Sequence, residues 1–363
     1  MSSHPISRRA LLAFSASLGL TAFARGARAD VTTETTPASD SPAPAPSPAL
    51  SSSSSPAPAV SSKTGSRVKS VSTDERGVTL TLELEHAPFP APGSWHRDPT
   101  VLVFVPRHHR PGPGGQIHFV VHFHGHNSTV ERATTAHQLR EQLFDSKQNA
   151  ILVVPELAVL APDSSAGKLE MQGGFARLLD DVLATLDTRE ARAALGPSGP
   201  RAGSTPGRIC VSAHSGGYHA AACAIRVGGV KVHEVYLFDA LYADTEVFRD
   251  WVIAGRGKPM SSRNKLVSYF TAGTTEVNTR RVFAELEQAG VTVARETVEG
   301  TLSREDLTHA EAVSIRTQLT HGKVTSELNS LRDCLYASAL RRRLRTSWFD
   351  AKQGARPLER RRR

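Results

Sequence analysis

Residues 208–225 constrain the fold of this chain more than any other stretch. A short apolar run leads into S-A-H-S-G-G at 212–217, and a helix-forming run follows. A strand, a sharp turn and a helix, with Ser215 at the turn, is the layout of a nucleophile elbow. Such a turn strains the backbone of the serine, so the residues two before and two after it must be small. Ala213 and Gly217 meet this requirement.

The same turn also offers a place for negative charge. The N–H of Gly216 would lie at the start of the following helix, where the helix dipole favours an anion. An oxyanion formed on an acyl group attacked by Ser215 would therefore meet this N–H. A strand–loop–helix crossover without chemistry uses small residues too, so the catalytic interpretation needs an acid and a base elsewhere in the chain.

The positive charge of the chain is concentrated at its ends. The 363 residues carry a formal charge of +9. Residues 1–29 hold four Arg and no acid, and residues 341–363 hold ten Lys and Arg against two acids. This leaves −3 for residues 30–340. The body of the protein therefore has no net positive charge, and we predict that it binds no nucleic acid.

The first 65 residues precede the predicted domain. Residues 1–29 resemble a twin-arginine export signal, with S-R-R-A-L-L at 7–12, an apolar run, and A-R-A at 27–29 as a cleavage site. Residues 30–65 are rich in Ser, Pro and Ala, a composition that cannot bury enough apolar surface to fold. We therefore expect an exported bacterial protein, periplasmic or secreted, with a disordered linker before a domain at 66–340.

Strands and helices alternate through that domain. Alternating and apolar runs predict about eight strands, at 68–84 (a hairpin), 100–106, 117–123, 150–155, 209–211, 232–238, 266–270 and 291–297. Amphipathic runs predict helices, the clearest at 129–144, 175–186, 279–289 and 326–340. This alternation predicts an α/β fold, with a mostly parallel sheet covered by helices on both faces. Reactive groups of such sheets collect at the carboxyl ends of the strands.

The chain resembles the α/β-hydrolase superfamily over about residues 67–340. The resemblance depends on A-H-S-G-G at 213–217, on H-G at 124–125 after the third strand, where the superfamily has its oxyanion loop, and on the order Ser, acid, His. Ala213 departs from the usual Gly by one methyl group. The resemblance implies a serine hydrolase that needs no cofactor and acts on a small-molecule or polymer acyl substrate.

Two carboxylates are candidates for the acid of a triad. Asp239 directly follows an apolar strand, and Glu276 follows the next strand, the more usual position in the superfamily. We favour Asp239, because an acid at the end of a buried strand is costly to desolvate unless it meets a partner such as an imidazole N–H. Its alternative role is a cap of the following helix. Asp244 is a weaker third candidate.

Two of the fifteen histidines are candidates for the base. His321 lies in L-T-H-G-K-V just before an amphipathic run. The resemblance implies a histidine in this place, between the last strand and a C-terminal helix. His309 also follows the last predicted strand, but it lies inside the charged run R-E-D-L-T-H-A-E. We favour His321 and keep His309 as the alternative. His214 is a poor base, because it neighbours Ser215 on a strand and would point away from it.

The oxyanion hole would be built from two segments. One N–H would come from Gly216, and the second from His126 or Asn127 after the third strand. His124 and Gly125 would support this loop rather than take part in acid–base chemistry.

The remaining histidine and cysteine patterns indicate no metal site and no disulfide framework. His122, His124 and His126 alternate and would share one face of a strand, but no carboxylate motif accompanies them. We therefore predict no metal. The chain has three cysteines, Cys210, Cys223 and Cys334, too few for a disulfide framework. One disulfide bridge between two of them is compatible with the sequence.

Residues 341–363 form a basic tail, with Arg runs at 341–343 and 360–363. We expect it to be disordered and solvated, with weak contact to an anionic envelope surface as the alternative.

The sequence thus predicts an exported serine hydrolase that cleaves an ester or amide through an acyl-enzyme. An esterase is the first choice, because no additional substrate-binding module is evident. A cell-envelope peptidase or amidase is the first alternative, and a non-catalytic binding protein on the same fold is the second. The patterns do not specify an oligomeric state.

Overall fold

The computed structural model describes residues 65–162 and 164–343. The predicted export signal at 1–29, nearly all of the linker and the tail beyond Arg343 lie outside the described residues. The strands, in chain order, are β1 Arg67–Thr73, β2 Gly77–Glu83, β3 Thr100–Pro106, β4 Gln116–Phe123, β5 Ile151–Pro155, β6 Thr205–His214, β7 Glu234–Phe238, β8 Lys265–Phe270, β9 Val293–Glu296 and β10 Ala312–Arg316. The α-helices are α1 Val130–Ala136, α2 Leu139–Ser146, α3 Gly174–Leu186, α4 Arg189–Leu195, α5 Tyr218–Arg226, α6 Thr245–Gly255, α7 Thr274–Gln288, α8 Arg304–His309 and α9 Ser330–Tyr336.

All ten strands belong to one sheet, in the order β1-β2-β3-β5-β4-β6-β7-β8-β10-β9. The pairs from β1 to β5 are antiparallel. Every pair from β5–β4 to the β9 edge is parallel. The predicted mostly parallel α/β fold is confirmed, with ten strands instead of about eight.

Strand β10 was not predicted from the sequence. This strand pairs with β8 on one side and β9 on the other, so the strand predicted at 291–297 is the sheet edge. The run A-V-S-I-R is only five residues long and follows a charged segment. Such a short run carries too little periodicity to distinguish it from a loop. Its position matters, because β10 is the strand that leads to His321.

Two hydrophobic cores cover opposite faces of the sheet. Along β4, Phe119, Val121 and Phe123 pack in one core and Val120 packs in the other, as the two-residue period of a strand requires. The first core is completed by α3, α4, α5, α6 and α7, and the second by α1, α2, α8 and α9. Because both faces are covered, the inner strands are almost continuously apolar.

Two predicted helices have different bounds in the structure. The helix predicted at 129–144 is two helices, because Gln138 has a left-handed backbone (φ 50°) that interrupts the helical ladder. The helix predicted at 326–340 begins only at Ser330, after Asn329, which is also left-handed (φ 59°). No described helix has the length and apolar character needed to cross a membrane.

The folded chain extends slightly beyond the predicted boundary at residue 340. The N–H of Asn149 donates to the carbonyl of Arg341, and the N–H of Arg343 donates to the carbonyl of Lys147. The first three residues of the predicted tail are therefore paired with the domain.

The three cysteines are free and buried, so the bridge left open by the sequence is not formed. Burial raises the pKa of the Cys210 thiol well above its usual value.

Candidate active site

Ser215 lies at a sharp turn between β6 and α5 and has a left-handed backbone (φ 52°). This conformation is costly for a residue with a side chain, and the close packing around the turn maintains it. A Cβ on Gly217 would stand 2.3 Å from the carbonyl oxygen of Phe123, so only glycine fits there. Ala213 is fully buried in β6. The turn has the strained geometry expected of a nucleophile elbow.

The loop after β4 lies directly against this turn. A Cβ on Gly125 would stand 2.6 Å from Cβ of Ser215 and 3.0 Å from the carbonyl oxygen of His214. Real Cβ atoms do not approach so closely, so glycine at 125 is what allows the loop to reach the serine.

His321 and Asp239 meet at the carboxyl ends of two strands. Nδ1 of His321 lies 2.7 Å from Oδ2 of Asp239. Asp239 follows β7 and is buried, whereas His321 follows β10 and 42% of its side chain is exposed. The ring of His321 lies 4.6 Å from the ring of His214, the residue before Ser215. The favoured acid, base and serine are thus brought into one region.

Three further hydrogen bonds hold the carboxylate of Asp239. Its Oδ1 accepts from the N–H of Thr271 (3.0 Å) and the hydroxyl of Thr275, and its Oδ2 accepts from the hydroxyl of Thr271 (2.8 Å). Burial by itself raises the pKa of Asp239, but the hydrogen bonds from His321 and both threonines outweigh it and lower the pKa to about 2. Neither threonine was predicted from the sequence, although Thr271 directly follows β8 and Thr275 lies at the start of α7.

The structure does not bring the two alternative residues to this site. Glu276 lies in the first turn of α7, where Oε1 is 2.7 Å from Nη2 of Arg280 one helical turn later. His309 is exposed at the end of α8, and its carbonyl oxygen accepts from Nη1 of Arg263. The loop after β8, the more usual position of the acid, here supplies hydroxyl groups to Asp239 instead.

The two candidates for the second oxyanion donor differ in the structure. The N–H of Asn127 donates to the carbonyl of Val159 at 2.8 Å, so that donor is already used. The nitrogen of His126 lies 3.4 Å from the point where a Cβ on Gly216 would stand, and Oγ of Ser164 lies 3.1 Å from the same point. The N–H of His126 is therefore the donor that adjoins Gly216.

His124 holds the loop after β4 through both ring nitrogens. Nδ1 donates to the carbonyl of Gly125 (3.0 Å), and Nε2 accepts from the N–H of Leu157 (2.9 Å). These partners place the ring proton on Nδ1. Nε2 also lies 3.3 Å from buried Glu156, whose other oxygen accepts from the N–H of Val130 at the start of α1. The ring therefore joins the loop to the end of β5.

A row of imidazoles extends from His321 into the protein. The ring centroids are 4.6 Å apart for His321 and His214, 4.5 Å for His214 and His137, and 5.6 Å for His137 and His122. Burial lowers the pKa of His214 to about 4 and that of His137 to about 3, and it lowers the pKa of His122 well below its usual value. Nδ1 of His122 bonds to the hydroxyl of Ser212 (2.8 Å). The buried members of this row are neutral at pH 7.

No group of three or more His, Cys, Asp or Glu side chains within the described residues is placed to hold a metal ion. The alternating histidines at 122, 124 and 126 do not act together: the first two bond to different protein groups, and the third is exposed.

An open groove of about 840 Å³ adjoins the small pocket around the candidate oxyanion donors. The small pocket is lined by His124, Gly125, His126, Leu157, Ala158, Ala161, Ser164, Ser165 and Gly216. The groove is lined by residues 91–95, 158, 160–162, 165, 167, 170 and 171. The two cavities share residues 158, 161 and 165, so the groove is continuous with the candidate site.

The chain is similar in structure to several solved esterases. An S-formylglutathione hydrolase from Agrobacterium tumefaciens matches with a TM-score of 0.43 and 11% identity, over 75% of this chain and 98% of that one. A ferulic acid esterase matches with a TM-score of 0.42 and 10% identity, over 75% and 98%. A feruloyl esterase module from Clostridium thermocellum gives 0.40 and 10%, over 75% and 88%. No family model matches the sequence, and no curated protein does so.

Proposed function

We propose that this chain, whose sheet and elbow are those of an α/β-hydrolase fold, is a serine esterase that works through an acyl-enzyme. The observation that supports this best is the 2.7 Å hydrogen bond between His321 and Asp239, at the carboxyl edge of the sheet beside the strained Ser215. An acid buried against a half-exposed histidine, next to a serine in a nucleophile elbow, is the arrangement that activates a hydroxyl group.

In the proposed reaction, Oγ of Ser215 attacks the ester carbonyl carbon while Nε2 of His321 takes its proton. Asp239 keeps the ring proton of His321 on Nδ1 and stabilises the imidazolium. The tetrahedral intermediate collapses as His321 gives the proton to the leaving alcohol. A water molecule, deprotonated by His321, then attacks the acyl-enzyme and releases the acid with Ser215 restored.

The low pKa of Asp239, about 2, supports its part in this scheme. A carboxylate that stays ionised in a buried position can stabilise the positive charge that develops on His321. The hydroxyls of Thr271 and Thr275 help to keep Asp239 ionised. They do not displace Nδ1 of His321, because they donate to other lone pairs of the carboxylate.

The oxyanion would be held by the N–H groups of Gly216 and His126. Both N–H groups belong to backbone that is held in place before substrate arrives. Gly125 packs against the turn at Ser215, and the ring of His124 bonds to the carbonyl of Gly125 and to the N–H of Leu157. Preorganised donors of this kind lower the barrier by about 3–4 kcal/mol each.

We also propose that residues 1–29 direct export in a folded state through a twin-arginine system, to the periplasm or the medium. A fusion of residues 1–30 to a folded reporter should be exported and cleaved after Ala29. The joint substitutions Arg8→Lys and Arg9→Lys should stop export, because the paired arginines are the recognised feature. Export that persists in this double variant would argue for a general secretory signal.

The basic tail beyond Arg343 is proposed to bind anionic envelope surfaces weakly. A chain truncated after Arg343 should sediment less with anionic vesicles than the full mature chain at low salt, and equally at high salt, because salt screens the attraction.

The esterase proposal is tested by labelling the purified mature protein with a fluorophosphonate probe, beside Ser215→Ala. We expect labelling of the wild type only, together with hydrolysis of p-nitrophenyl esters. Labelling of Ser215 with cleavage of peptides or amides alone would favour the envelope amidase. A folded wild type that neither labels nor cleaves would favour a binding protein.

A further inference from the structure

The groove beside the oxyanion pocket has an apolar floor of its own. Four buried residues, Phe89, Ala91, Ala158 and Ala161, form a small cluster separate from the two cores of the sheet. Three of them line the groove, and the two at 158 and 161 also line the oxyanion pocket. The apolar surface thus continues from the reacting carbonyl position into the groove.

The rim of the groove carries large apolar side chains that the fold leaves in solvent. Trp95 is 63% exposed, Leu160 57% and Met171 49%. A cluster of exposed apolar groups next to a reactive site is typical of a surface that a ligand covers. The buried ring of His96 lies edge-on to the indole, with ring centroids 5.7 Å apart, and edge-on to Phe89, with centroids 5.0 Å apart.

The position of the base indicates which part of an ester would occupy the groove. The leaving oxygen must lie within reach of His321, which protonates it. Neither His321 nor Tyr242, whose ring lies 6.4 Å from that of His321, is among the described residues that line the groove or the oxyanion pocket. The alcohol part of the substrate therefore belongs beside these two rings, and the acyl part belongs on the side of the oxyanion pocket and the groove.

The charge of the groove limits the acyl group further. The described lining residues include Glu170 and no Lys, Arg or His. Oε1 of Glu170 accepts from the N–H of Ala166 (2.6 Å) and the hydroxyl of Ser165 (3.3 Å), which fixes the carboxylate within the loop. Oε1 of Glu170 also lies 3.8 Å from Nε2 of His219, whose pKa is raised to about 10, so a cation already offsets the charge of Glu170. A second carboxylate on the acyl group would therefore find no cation of its own in the groove and would lose its hydration against the apolar lining.

We propose that this groove binds the acyl part of the substrate, and that the preferred acyl group is large, uncharged and apolar, either an aliphatic chain or an aryl-alkyl group that lies on Trp95. An acetyl group would leave almost all of the 840 Å³ empty. This assignment rests on the proposed esterase function and specifies its substrate class.

The kinetic test compares p-nitrophenyl acetate, octanoate, 3-phenylpropanoate and hydrogen glutarate. In the wild type we expect kcat/KM for octanoate and 3-phenylpropanoate to exceed that for acetate at least tenfold, and the glutarate ester to be poor. Trp95→Ala should lower kcat/KM for the two large esters about tenfold, because it removes the largest contact area, and change that for acetate less than twofold. The relative rates of octanoate and 3-phenylpropanoate distinguish an aliphatic from an aromatic acyl group.

The matched control is Val298→Ala. Val298 is as exposed as Trp95, at 65%, and does not line the groove, so its removal should change no ester selectively. The proposal is overturned if acetate is the best ester, or if Trp95→Ala lowers kcat/KM equally for all four.

A binding measurement separates this proposal from the esterase proposal. Ser215→Ala, titrated with octanamide or 3-phenylpropanamide, should change its tryptophan fluorescence, and the double variant with Trp95→Ala should not. If neither amide binds, the groove assignment is wrong even for an enzyme that cleaves acetate. If they bind while the wild type cleaves no ester, the groove assignment stands and the esterase proposal fails.

Discussion

Nε2 of His214 donates a hydrogen bond to the backbone carbonyl of His321, at 2.9 Å. A carbonyl oxygen can only accept, so the ring proton of His214 is on Nε2. His214 is the residue before Ser215, and its bond ties the proposed nucleophile elbow directly to the loop that carries the proposed base. We therefore expect His214, a poor candidate for the base, to position the favoured histidine.

We predict that His214→Ala lowers kcat about a hundredfold and changes KM little, because a displaced base is costly to the chemical step and irrelevant to binding. His214→Gln can place an N–H near the same carbonyl and should recover much of the loss. Steady-state kinetics and the rate of fluorophosphonate labelling measure both effects. His309→Ala, an exposed histidine away from the site, is the control. Equal activity of the Ala and Gln variants would contradict a role in positioning.

Ser215→Ala should abolish activity and leave the melting temperature almost unchanged, because the hydroxyl is removed without a change in packing. Asp239→Asn should reduce kcat by about four orders of magnitude, since the amide cannot hold His321 in the correct tautomer. Glu276→Gln is its control and should remain active, because Glu276 contacts Arg280 at the protein surface. A silent Asp239→Asn would mean that another acid serves His321.

Gly125→Ala should inactivate the protein and destabilise it by about 1–3 kcal/mol, because the new methyl group would overlap Cβ of Ser215. Gly322→Ala is the matched control beside His321: nothing lies within 4 Å of its Cβ position, so activity and stability should be retained. Urea unfolding and ester hydrolysis measure the two quantities. Full activity of Gly125→Ala would show that the loop can retreat without loss of the oxyanion donors.

The buried histidine row should make the protein less stable in acid. Burial, with the neighbouring histidines, lowers the pKa of His137 to about 3, and burial lowers that of His214 to about 4, from an ordinary value of 6.5. Between pH 6.5 and about 4 the unfolded chain binds more protons, so the free energy of unfolding falls as pH decreases. Asp239 does not contribute in this range, because its stabilisation is lost only between pH 3.8 and about 2.

His219 does not offset this trend. Its pKa is raised to about 10, chiefly by the hydrogen bond with Asp244, so its stabilisation is complete below pH 6.5 and is lost only as pH rises toward 10. Thermal unfolding from pH 6.5 to 4.5 should therefore show a steady fall in melting temperature. His137→Gln removes one titrating group and should make the fall shallower. Parallel curves for the two proteins would mean that His137 is protonated in the folded state.

The local geometry around Ser215 could be predicted from sequence because it is encoded in neighbouring residues. The elbow at Ser215, the glycine at 217 and the H-G of the loop at 124–125 each depend on steric demands within a few positions. The α/β alternation is likewise local, and it placed Asp239 directly after a strand, whereas the strand that leads to His321 was not predicted. The five-residue β10 escaped detection because its burial depends on neighbours far away in the chain.

Only the tertiary structure decided the relationships between distant segments. Sequence left Asp239 and Glu276 both open, and the structure separates them, because just one of the two carboxylates faces Nδ1 of His321. The structure likewise separates the two candidates for the second oxyanion donor, because the N–H of Asn127 already donates to the carbonyl of Val159. A hydrogen bond depends on the distance and direction between its two groups. These partners are 32 residues apart for Asn127 and Val159 and 82 residues apart for Asp239 and His321. Only folding brings such distant residues together, and the periodicity of the sequence does not indicate which of them will meet.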